Sequence, residues 1–135
     1  MPLRVSAVRA AMANVLEVAF GTEVQVATAP DQLTPPCLLL AMPTVDYGNS
    51  GGREPDSMRI PIHGVVPRIH DQAAVDLVDA WISGSGPRSV VGILQADPTL
   101  GGVCLTLEGV DAVPEIYPTA QGDLPSYRWT VQVWG

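Results

Sequence analysis

Ser89–Leu107 reads SVVGILQADPTLGGVCLTL and compresses a helix, a stop, a turn and a strand into one short stretch. Val90, Val91 and Leu94 share one side of a helix, the spacing at which side chains one turn apart meet. Asp97-Pro98 ends that helix, because the residue before a proline is driven out of the helical region. Thr99–Gly102 then carries turn chemistry, with two glycines free to take positive φ. Val103, Leu105 and Leu107 alternate with Cys104, Thr106 and Glu108, which predicts a half-buried strand with the first set inward.

Working outward, Ser83-Gly84-Ser85-Gly86 separates this unit from an earlier helix over 71–82. Asp71 is the expected N-cap of that helix, and Ala74, Val78, Trp81 and Ile82 are its apolar stripe. Pro87 suits the first turn of the helix that follows. On the other side, the strand is expected to run to Val110 or Val113, and Pro114–Pro125 reads as a loop. Tyr127, Trp129, Val131 and Val133 then alternate with polar residues in a final strand antiparallel to it, with Trp134 on the opposite face. Upstream, 3–20 is an amphipathic helix whose stripe holds Val5, Val8, Met12, Val15, Leu16 and Ala19, closed by Gly21. Short strands follow at 23–27 and 37–42, the second bounded by prolines and apolar throughout. Residues 43–57 form the longest polar stretch, a mobile loop or the tip of a long hairpin. Met58–Val66 alternates again, and Pro61 places it at an edge or a bulge. The order α-β-β-β-α-α-β-β describes one α+β domain over 1–135, with a mixed, mostly antiparallel sheet of about five strands. An N-terminal helix and a second helical segment flank the sheet.

Fourteen acidic residues oppose seven arginines and no lysine, a net charge of −7. That balance argues against wrapping nucleic acid through its phosphates. No apolar run approaches a membrane span, and Arg4 and Arg9 sit inside an amphipathic pattern where a leader would carry an apolar core. Cys37 and Cys104 each lie in apolar runs and read as buried thiols. His63 and His70 have no ligand spacing. Ser50, His63 and Asp71 make a paper triad without a nucleophile elbow, and Gly48–Arg53 lacks the lysine of a phosphate cradle. No catalytic, cofactor or metal residue is assigned, and an enzyme is not expected.

The chain resembles the tail terminator proteins of long-tailed bacteriophages, particularly those of actinobacteria. The resemblance runs over nearly the whole chain: the helix Leu3–Phe20, the strand Val24–Ala27, Leu33-Thr34-Pro35-Pro36 before Cys37–Leu40, and the terminal strand Tyr127–Trp134. Its most specific piece is Gly86–Gly102, a helix followed by Thr99-Leu100-Gly101-Gly102. The resemblance implies a structural virion protein, assembled in the host cytoplasm into a ring, commonly a hexamer, at the neck of the virion. Such a ring ends tube polymerisation, meets the tail tube protein and a head–tail connector or stopper, and lets DNA pass through its lumen without specific binding. No catalytic residue, cofactor or membrane belongs to that role. Tyr47, Arg53, Glu54, Arg59, Glu115, Asp123, Arg128 and Trp134 are the expected subunit-interface residues, with arginines meeting acids across a heterologous contact. The alternatives are another neck component, such as a connector or tail completion protein, and a small α+β enzyme or ligand-binding domain.

Overall fold

Two buried tryptophans and the glycine beneath them fix how the helices of this protein sit on its sheet. The computed structural model describes residues 3–29, 33–47, 57–67, 72–119 and 122–135. In chain order these form α1 (Val5–Phe20), β1 (Gln25–Ala27), β2 (Cys37–Leu40), β3 (Thr44–Asp46) and β4 (Ser57–Val65). Then come α2 (Gln72–Ile82), α3 (Val90–Gln95), a 3-10 turn (Leu100–Gly102), β5 (Thr106–Thr119) and β6 (Gly122–Trp134). The fold is α+β, with one more strand than the expected five.

The sheet order is β1-β2-β4-β6-β5, and β3 pairs with the same edge of β4 that β2 uses. Only β1 and β2 run parallel. β2 and β3 therefore follow one another along one side of β4, and β5–β6 form a hairpin on the other side; of the stretch 43–57, residues 48–56 lie outside the described residues.

Alternation sorts the sheet into two faces. Leu38, Leu40, Ile60, Ile62, Trp129 and Val131 point to one face and join a single buried cluster with Met12 and Leu16 of α1, Trp81 of α2, and Val90 and Leu94 of α3. Each such side chain contributes about 1.5–3 kcal/mol by leaving water. Trp81 meets Phe20 and Trp129 edge-on, with centroids 6.4 and 6.2 Å apart. Gly64 makes room for this pair: a Cβ there would lie 2.5 Å from Trp129 and 2.9 Å from Trp81. Gly109 does the same under α3, where a Cβ would come within 2.7 Å of Val91.

The α2–α3 junction is closed by Ser89, which is fully buried. Its hydroxyl accepts from the Gly92 amide at 2.9 Å, capping α3, and donates to the Ser83 carbonyl. The Asp71 cap expected for α2 lies outside the described residues. In α1 the buried stripe is Val8, Met12, Ala13, Leu16 and Phe20, so it is rotated toward Ala13 and leaves Ala19 exposed.

Three expectations are corrected. β4 is not an edge strand: it pairs with β6 on one side and with β2 and β3 on the other, and Pro61 falls where β2 gives way to β3. Pro114–Pro125 is not a loop: β5 and β6 continue through it as a ladder to Thr119↔Gly122. Prolines signal loops because they cannot donate to a ladder, but β5 is an edge strand and has an outward side that needs no donor. The inward alternation of Val103, Leu105 and Leu107 also fails. Leu100, Gly101 and Gly102 all take positive φ (50°, 71° and 98°), and the chain stays coiled until Thr106. The Cys104 amide donates back to the Thr99 carbonyl at 3.2 Å, and its Sγ lies 3.4 Å from the Pro98 carbonyl. Cys104 and Leu107 thus turn inward, while Leu105 is 65% exposed.

Gly64→Ala is expected to destabilise the fold by about 1–3 kcal/mol, the usual cost of overpacking a filled core. Urea unfolding followed by tryptophan fluorescence measures it, and an unchanged midpoint would contradict the packing described.

Candidate functional site

Among the described residues no α-helix packs on the opposite face of the sheet, and polar residues gather there by register. His63 of β4 stands directly opposite Arg128 of β6, Arg59 opposite Gln132, and Glu115 of β5 opposite Ser126. The His63 imidazole Nδ1 lies 2.6 Å from Glu115 Oε2, and Arg128 reaches the other carboxylate oxygen at 3.7 Å. The Tyr117 ring sits 5.5 Å from the His63 ring, and the Ser126 hydroxyl donates to the Glu115 carbonyl at 3.2 Å. The His63 and Glu115 side chains are only 19% and 25% exposed, so the pair is partly withdrawn from water.

A bulge between Gly109 and Asp111 creates this cluster. Before it, Glu108 pairs with Gln132 and even-numbered β5 residues face the helix-free side. After it, Asp111 pairs with Thr130 and odd-numbered residues do so. One extra residue, Val110, inverts every later side chain. With unbroken pairing, Pro114 and Ile116 would face His63 in place of Glu115 and Tyr117.

At the other end of the same face, the Arg59 Nε donates to Gln132 Oε1 at 2.8 Å. This guanidinium borders a cavity of about 450 Å³ whose walls include Thr44, Asp46, Ser57 and Trp134. Among the described residues Arg59 meets no carboxylate.

Of the residues expected at an interface, Arg59, Glu115, Arg128 and Trp134 share the helix-free face by register. Asp123 lies near the end of the β5–β6 hairpin opposite Pro118, Tyr47 follows β3, and Arg53 and Glu54 lie outside the described residues. Arg128 and Glu115, both expected to meet opposite charges on a neighbouring subunit, lie 3.7 Å from one another within one chain. His63 was missed as a partner because 52 residues separate it from Glu115 and no local spacing marks it.

A further ion pair, Arg88–Glu23, ties the approach to α3 to the segment before β1. The hydrogen bond and charge of Arg88 hold the Glu23 carboxyl below its ordinary value, while Arg88 is raised. Cys37 and Cys104 are free and buried, and burial pushes both thiols up. Among the described residues no group of three His, Cys, Asp or Glu is placed to hold a metal ion. No helix among them is long and apolar enough to cross a membrane. On this face the charged groups form a network, and the Ser126 hydroxyl beside it is engaged to a backbone carbonyl. Comparison with protein-family models finds no match, and none of the curated proteins matches the chain.

Glu115→Gln is expected to loosen the outer part of the β5–β6 hairpin. Amide exchange there should quicken roughly tenfold, as loss of a charge-assisted hydrogen bond implies, while global stability falls little. Unchanged exchange would show that the cluster does not hold the hairpin. For Glu23, a carboxyl-detected NMR titration should give a midpoint below the ordinary glutamate value of about 4.3. Because the folded value is depressed, its contribution to stability is present above the unfolded value and is lost as pH falls through the folded one. Arg88→Ala should return the midpoint to ordinary, and an unmoved midpoint would contradict the pair.

Proposed function

We propose that this chain is a structural protein of the phage tail that forms a ring on the head-proximal end of the tail tube. The ring ends tube growth, presents a docking surface to the head connector or stopper, and leaves a lumen for DNA. The supporting observation is the shape of the sheet. β4 ends opposite Ser126, while β5 and β6 go on pairing to Thr119↔Gly122, so the β5–β6 hairpin projects beyond one end of the sheet. A subunit with such a projection and a face of arginines and acids suits contacts between unlike surfaces, the kind that close a ring. Acidic Glu108 and Asp111 on the helix-free side of β5 fit a lumen that does not adhere to DNA.

The ligand-binding alternative is carried by the cavity of about 450 Å³ beside Arg59, which is of ordinary ligand-site size. The apolar cavity between Trp81, Tyr127, Gly64 and Pro114, at about 130 Å³, is small by that measure.

Negative-stain imaging with light scattering, on the concentrated protein and after addition of tail tubes, tests the proposal. Rings, free or capping tube ends, are expected. A persistent monomer that leaves tube ends bare would overturn it.

A further inference from the structure

The part of the β5–β6 hairpin that runs past the end of β4 is Ile116–Pro125, IYPTAQGDLP. Asp123 is the one charged residue in that stretch. It pairs with Pro118 across the hairpin, so the two share a face, and Ile116 joins them two positions away. Asp123 is exposed, and Ile116 is 70% exposed. This face of the tip therefore offers one carboxylate beside apolar side chains. Pro118 cannot donate to a ladder, so the tip suits contact through side chains and not through a lengthened sheet.

The cavity of about 450 Å³ beside Arg59 lies at the far end of the same ladder, where Trp134 pairs with Thr106 and Ser57. Arg59 is the cation of its wall, and Val45, Met58 and Trp134 add apolar surface. The bond from Arg59 Nε to Oε1 of the buried Gln132 orients the guanidinium. An oriented fork of donors suits a carboxylate, and Arg59 meets none among the described residues.

We infer that the β5–β6 tip of one copy enters the Arg59 cavity of the next, with Asp123 meeting the guanidinium and Ile116 and Pro118 lying against Trp134. Tip and cavity stand at opposite ends of one ladder. Each copy then makes one such contact at either end, through unlike surfaces, the arrangement that closes a ring.

Among the described residues Asp123 and Arg59 are both outside every ion pair, so neither gives up a charged partner to form the contact. Asp46 also lines the cavity, opposite Ser57, and its charge turns an incoming acid toward Thr44, which stands directly opposite Arg59. No strand edge is used, so β1 keeps its place beside β2 and β3 its place beside β4.

This inference rests on the ring reading and names its joint. The test places Thr44→Cys with Pro118→Cys in the full chain, each directly opposite one member of the Arg59–Asp123 pair, and adds a short bismaleimide to the concentrated protein. Cys37 and Cys104 are buried and do not compete. A ladder of cross-linked oligomers ending at one size is expected on a denaturing gel, while Val18→Cys with Pro118→Cys should stay monomeric. Rings seen by imaging without the ladder would overturn this joint and leave the ring reading intact. A ladder without an upper limit, with filaments in the images, would uphold the joint and overturn the ring. Neither rings nor ladder would overturn both. A charge exchange gives an independent arm: Arg59→Glu or Asp123→Arg alone should weaken association roughly threefold, and the two together should restore it. Association unmoved by either change, or weakened and not rescued, would overturn the joint and leave the cavity to the ligand-binding alternative.

Discussion

The packing of Trp81 and Trp129 over Gly64 is the constraint on which the rest of the structure depends. Two indoles and Phe20 meet edge-on where α1, α2, β4 and β6 converge, and no side chain fits beneath them. Because this cluster fixes α2, and Ser89 ties the end of α2 to the start of α3, all three helices are committed to one face. Among the described residues the other face carries no α-helix. Its arginines and acids are then set by strand register alone.

A second constraint acts at Gly109. The residue must be glycine for Val91 of α3 to rest on β5, and the strand bulges immediately afterward. The same site therefore seats the helix and reverses the phase of the strand. Past it, Glu115 and Tyr117 face His63, while Ile116 is left in solvent on the other side. The hairpin is thus held to the sheet through polar contacts on one face and carries exposed apolar residues along its edge. Both features suit a subunit that meets copies of itself.

Much of this was legible in the sequence. The amphipathic period of α1 and the alternation of β4 and β6 located the main elements, and the fold class and element order followed. What could not be read depends on tertiary geometry. Pro114 and Pro118 look like loop residues until β5 is known to be an edge. Leu105 looks buried until the positive φ of Leu100 prolongs the turn and moves Cys104 into its place. The His63–Glu115 contact needs both the strand register and the bulge, neither of which leaves a local spacing. Arg59 and Trp134 were named from charge and from an aromatic at the chain end, and register then set them beside one cavity.

The central claim is that Trp81 and Trp129, packed over Gly64, seat the helices on one face of the sheet and leave the face of His63, Glu115 and Arg128 to strand register. Backbone amide exchange compared between the protein and its Gly64→Ala variant tests it most directly. The account predicts faster exchange in α2 and α3 of the variant, with the β5–β6 ladder still protected. Unchanged exchange in α2 would contradict it.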